Sequence, residues 1–160
     1  MVEYAAGAAP HPVVRLAITP TPAHVRTARL VASAAAREFG ADASLLEEIK
    51  LAVSEACTRA ISASQYCDKP GLVTLSISRS GAGEAARITL VVADRGRNHR
   101  LEPGSASGSE PMITADSDAA DASALLTSMI DDVEIGPAPD GIGTVVRASW
   151  PTRAAGQPRL

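Results

Sequence analysis

Glu55 and Arg59 stand one helical turn apart inside LAVSEACTRAI (Leu51–Ile61), an otherwise mostly apolar segment. At 100° per residue, Leu46, Ile49, Val53, Ala56, Cys57 and Ala60 share one broad apolar face. Glu48, Glu55, Arg59 and Ser62 form a narrow polar strip along its edge. A surface helix ordinarily keeps its charges on the side opposite the core. Here the carboxylate and the guanidinium lie at the rim of the buried side, where a cleft can open. The plainer alternative is an i,i+4 ion pair on a solvated flank, contributing about 0.3–0.5 kcal/mol. Cys57 and Cys67 have no partners at metal-ligand spacing, and His11, His24 and His99 are scattered, so the spacing predicts neither a zinc site nor a disulfide framework.

The segments around this helix read as a single layered domain. Val13–Ile18 alternates as a strand, with Val14, Leu16 and Ile18 on one side and Val13, Arg15 and Ala17 on the other. Thr21 and Pro22 signal the start of a helix that runs to about Phe39 and stops at Gly40. Its expected apolar side is Val25, Ala28, Leu30, Val31, Ala35 and Phe39; Arg26, Arg29 and Arg37 project elsewhere. Asp42 or Ser44 caps the Glu55 helix, which ends near Ser64. Val73–Ser78 and Ile88–Ala93 are strands joined across Ser80–Gly83, and the second, nearly all apolar, belongs at the centre of a sheet. Ala122–Asp131 is expected to be a short helix with Leu125, Leu126, Met129 and Ile130 inward. Val133–Ile135 and Thr144–Trp150 form a last hairpin. The pattern predicts an α+β, two-layer sandwich: a mixed, mostly antiparallel sheet with about three helices on one face. Residues 1–12 read as a flexible arm, 13–151 as the domain, 95–118 as a lid-like loop within it, and 152–160 as a flexible tail.

Composition narrows the classes. The 160 residues suffice for one domain with a substantial core, and 46% are apolar but only 2% aromatic. There is almost no aromatic surface on which single-stranded nucleic acid could stack. A net charge of −3, with both signs interspersed, argues against direct nucleic-acid binding through a basic patch. No apolar run approaches a membrane span and no leader pattern opens the chain, so a soluble, cytoplasmic protein is expected. Lys50 and Lys69 are the only lysines, an Ala-rich, Arg-over-Lys balance typical of a high-GC bacterial genome.

Three local motifs, in their order, resemble the GHKL (Bergerat) ATPase fold, and within it the bacterial anti-sigma factor serine kinases of the RsbW type. Leu51–Ala60 resembles the family's N-box, LAVSEAxxNA. Val91–Arg97, VVADRGR, resembles V-x-D-x-G-x-G. Ser128–Ile135 followed by Gly141–Val145 resembles the terminal helix, strand and G-T-x-V segment. The resemblance spans about residues 13–150. It implies that Glu55 is a general base or orients the attacking group in an active kinase. It further implies that Asp94 holds the adenine amino group with help from Thr144, that Gly96 belongs to the same box, and that ATP is a possible ligand.

The departures from the pattern lie where the phosphates and metal would sit. The family's Mg²⁺-coordinating Asn is Arg59 here, an arginine shared with some actinobacterial anti-sigma factors. A guanidinium cannot ligate a cation. The second Gly of the V-x-D-x-G-x-G box is missing, since Gly96 is followed by Arg97-Asn98-His99. The expected Gly-rich phosphate loop reads Asp118-Ala-Ala-Asp-Ala-Ser123, which is poor in glycine and carries negative charge. Mg²⁺ binding is therefore doubtful. Arg59 either contacts a phosphate directly, without metal, or pairs with Glu55 and closes the pocket.

The resemblance implies an anti-sigma factor: a homodimer that sequesters an alternative RNA polymerase sigma factor and is released by an anti-anti-sigma antagonist. It places Arg26 and Arg29 of the first helix among the candidate sigma contacts. The alternatives are an ATP-dependent serine kinase acting on the antagonist, and a sensor that binds another nucleotide or a sugar phosphate in the altered pocket.

Overall fold

The computed structural model describes residues 12–65, 67–68, 70–96 and 115–152, with backbone alone over 115–121. The proposed arm up to residue 11, the tail from 153 and most of the proposed lid, 97–114, lie outside the described residues. Five strands, β1 (Val13–Ile18), β2 (Val73–Ser80), β3 (Arg87–Ala93), β4 (Val133–Pro137) and β5 (Thr144–Pro151), form one sheet in the order β1-β2-β3-β5-β4. Three helices, α1 (Val25–Glu38), α2 (Ala43–Ser64) and α3 (Ala115–Met129), pack side by side, α2 between the other two.

The architecture is the expected α+β layering, and the apolar strand β3 is central. All four strand pairings are antiparallel, rather than mixed. The reason is topological. β3 and β4, joined through α3, run in the same direction, but β5 returns by a hairpin and inserts between them, so the two never pair. Alternation along β2, β3 and β5 buries Val73, Leu75 and Ile77, then Ile88, Leu90 and Val92, then Val146, Ala148 and Trp150 against the helices. The opposite face carries Thr74, Ser76, Ser78, Thr89, Arg147 and Ser149 beside Val91 and Val145, with Arg87 donating from Nε to Ser149 Oγ at 3.0 Å.

Helix α1 ends in a Schellman motif: Ala41 N–H donates to Ala36 O at 2.9 Å and Gly40 N–H to Arg37 O at 3.1 Å, with Gly40 at φ +89°. Its start differs from expectation. Thr21 makes no side-chain cap, and a 3₁₀ turn, Pro22–His24, leads into the α-helix. α1 buries Ala28, Ala32, Ala35 and Ala36, small residues that let it approach α2 closely, and Phe39 at its C-cap is buried as well. Leu30, expected inward, is 63% exposed, because it lies two residues, or 200°, from Ala28. Asp42 caps α2 by accepting from Leu45 N–H at 2.8 Å.

α3 begins at Ala115, earlier than the Ala122 expected, because its Ala- and Asp-rich first half has no apolar periodicity to betray it. Among its residues with described side chains, 122–129, Ala122 and Leu126 are buried, followed just past its end by Ile130, an i, i+4, i+8 stripe. Leu125 and Met129, expected inward, are 40% and 43% exposed.

Candidate functional site

The end of β3, the start of β5 and the second half of α2 converge on Asp94. Its backbone N–H donates to Thr144 O at 3.0 Å, which extends the β3–β5 ladder by one bond. Its Oδ1 accepts from Gly96 N–H at 2.8 Å, closing a tight turn immediately after the strand. Its Oδ2 accepts from Arg59 Nη1 at 3.0 Å. The two side chains are 6% and 1% exposed, so this is a fully desolvated ion pair between α2 and the sheet. Burial pushes the Asp94 carboxyl above its ordinary range, opposed by the Gly96 N–H, the Arg59 charge and hydrogen bond, and the Thr144 backbone.

Two glycines allow this closeness. A Cβ at Gly96 would stand 2.6 Å from the carbonyl carbon and oxygen of Ala63 on α2. A Cβ at Gly143, where φ is +85°, would stand 1.9 Å from the carbonyl oxygen of Asp94. Thr144, next in the chain, is 1% exposed. The structure thus brings together Arg59, Asp94, Gly96 and Thr144.

Glu55 takes no part in the cluster. It is half-buried and lines a small apolar groove between α2 and α3 with Glu48, Leu51, Ala52, Leu126 and Met129. The Arg59–Glu55 pairing held open by the sequence is not the one formed: the guanidinium reaches across to Asp94, 35 residues on. The spacing of Glu55 and Arg59 pointed to the local partner. The alternative signal was that Arg59 and Asp94 stand at positions of two boxes the resemblance assigns to one site, so a long cation at one can meet the carboxylate at the other. Arg26 and Arg29 are exposed on α1, a separate element.

The sequence profile of the histidine kinase-like ATPase domain matches residues 18–150. The chain belongs to that family. It is also 39% identical over 75 residues to the serine-protein kinase RsbW of Bacillus licheniformis, a match covering 47% of this chain and 44% of that protein. The matched stretch is thus less than half the length of that relative.

The residues present do not fit nucleotide and Mg²⁺ in the manner the family resemblance implies. Both Asp94 oxygens already accept hydrogen bonds within the protein. Arg59 has no lone pair to offer a metal. Residues 118–123, where the resemblance puts the phosphate loop, lie inside α3, where N–H groups beyond the first turn are consumed by the helix itself. Among the described residues, no group of three His, Cys, Asp or Glu side chains is placed to hold a metal ion, and no helix is long and apolar enough to cross a membrane.

Proposed function

We propose that this chain is an anti-sigma factor, which sequesters an alternative RNA polymerase sigma factor and yields it to an anti-anti-sigma antagonist. The similarity to RsbW supports the partner-switching class. The observation that carries the reading is the outer surface of α1. Leu30 is 63% exposed there, with the exposed Arg26 and Arg29 on the same helix, while the alanine side of the helix is buried against the core. An apolar residue beside cations suits an acidic amphipathic helix, with the arginines steering the encounter. In this reading the active unit is a homodimer working in the cytoplasm.

A serine kinase acting on the antagonist is the second reading. It is favoured by Glu55, half-buried at a groove, and disfavoured by the Arg59–Asp94 bridge.

The experiment is reconstitution. The purified chain is mixed with a panel of alternative sigma factors, complexes are weighed by native mass spectrometry, and run-off transcription is measured with and without candidate antagonists. Capture of one sigma factor with loss of its transcription, restored by an antagonist, is expected. No capture, together with phosphate transfer from radiolabelled ATP to a serine of an antagonist, would establish the kinase reading instead.

A further inference from the structure

We infer that Arg59 is a built-in substitute for nucleotide: its guanidinium supplies from within the protein the hydrogen bond that Asp94 would otherwise accept from a bound base. The inference stands on family membership and on the geometry of this site, whether or not the chain holds a sigma factor.

The ion pair is the central observation. Arg59 Nη1 donates to Asp94 Oδ2 at 3.0 Å, and Gly96 N–H holds Oδ1 at 2.8 Å. Oδ1 is thereby held by the backbone and Oδ2 by Arg59. An amino group of a purine and an N–H of guanidinium are alike in what they offer a carboxylate, a planar N–H donor. The guanidinium adds a full charge and a permanent tether. A ligand that replaces Arg59 at Oδ2 has to separate a desolvated ion pair whose side chains are 6% and 1% exposed.

The penalty enters directly into affinity. If the bridge is open about one per cent of the time, a ligand that needs it open binds about a hundredfold more weakly. The surrounding glycines reinforce the closed state. Gly143 and Gly96 let the β5 start and the post-β3 turn close tightly around Asp94, so the carboxylate has little freedom to swing away. The site is therefore satisfied without ligand. The domain keeps its shape when nucleotide levels change, and any control over its partners comes from another surface or another protein.

The test is binding, not activity. ADP and adenosine, with and without Mg²⁺, are titrated calorimetrically into the wild-type chain and into Arg59→Asn and Arg59→Gln, with circular dichroism to confirm folding. Adenosine probes the base site without requiring a phosphate loop or metal. No binding to the wild type at up to about 1 mM, and at least a tenfold gain for one of the probes in a folded variant, is expected. Wild-type binding in the micromolar range would overturn the inference, as would a folded Arg59 variant that gains nothing. If both variants unfold, the thermal melt of the wild type decides: a rise of several degrees with millimolar adenosine, which needs neither phosphate loop nor metal, refutes self-satisfaction, and no shift upholds it.

Discussion

Gly143 packs so tightly on Asp94 that a Cβ at that glycine would fall 1.9 Å from the Asp94 carbonyl oxygen. Two penalties meet there, because φ is also +85°. An L side chain in the left-handed region costs about 1–2 kcal/mol, and forcing atoms into a packed site adds about 1–3 kcal/mol. Gly40 separates the two effects: its φ is +89°, but nothing lies within 4 Å of its Cβ position. Gly40→Ala should therefore cost about 1–2 kcal/mol and Gly143→Ala about 1–3 kcal/mol more, read from urea midpoints. Equal losses would show that the β5 start yields easily and that the Asp94 turn is not rigidly held.

The Arg59–Asp94 pair makes a prediction about stability separate from any ligand. Arg59→Met removes the cation and leaves a buried carboxylate, a change expected to cost about 3–5 kcal/mol. Asp94→Asn leaves a buried guanidinium facing an amide and should be similarly harmful. The double variant removes both charges, so its loss should fall short of the sum of the single losses by about 1–3 kcal/mol. A double-mutant cycle from chemical denaturation measures this shortfall. Additive losses would mean that the bridge is not formed in solution.

Cys57 lies wholly inside the apolar face of α2, and burial raises its thiol from 9.0 to about 11. The native state therefore keeps its proton at pH values where the unfolded chain has lost it. The associated stability is fully present below about pH 9 and is lost as pH rises through about 11. Two units correspond to about 2–3 kcal/mol at most. Cys57→Ala should make the urea midpoint less steeply dependent on pH between those values. In the wild type at pH 8, a thiol reagent should label the partly exposed Cys67 and reach Cys57 only on unfolding.

What could be read in advance divides along physical lines. Strong periodicity marked α2 correctly, and Leu46, Ile49, Val53, Ala56, Cys57 and Ala60 are all buried. Gly40 and Asp42 marked the boundary between α1 and α2 because each has a local geometric reason to be there. Leu30, Leu125 and Met129 were misplaced inward because hydrophobicity does not tell which flank of a helix meets its neighbour. Alanine carried the α1 core, and it is too weakly apolar to announce a face. At the site, the resemblance grouped Asp94, Gly96 and Thr144, and the fold brings these three together. The partner of Arg59 was not, since a residue four positions away competes on spacing alone with one that only the fold brings near.

The surface of α1 supplies the last prediction. Arg26 and Arg29 are exposed, and so is Leu30, so substitutions there disturb little of the fold. If an acidic sigma surface docks on this helix, the arginines act at long range and Leu30 at contact. Arg26→Glu/Arg29→Glu should slow association by about tenfold or more at 0.1 M salt and flatten its salt dependence, because steering rests on charge. Leu30→Asp should instead speed dissociation, with less effect on the on-rate, because it spoils an apolar contact formed after the encounter. Surface plasmon resonance against the captured sigma factor separates the two rates, and far-UV circular dichroism should show all three proteins folded alike. Unchanged rates in both variants would move the sigma-binding surface off α1.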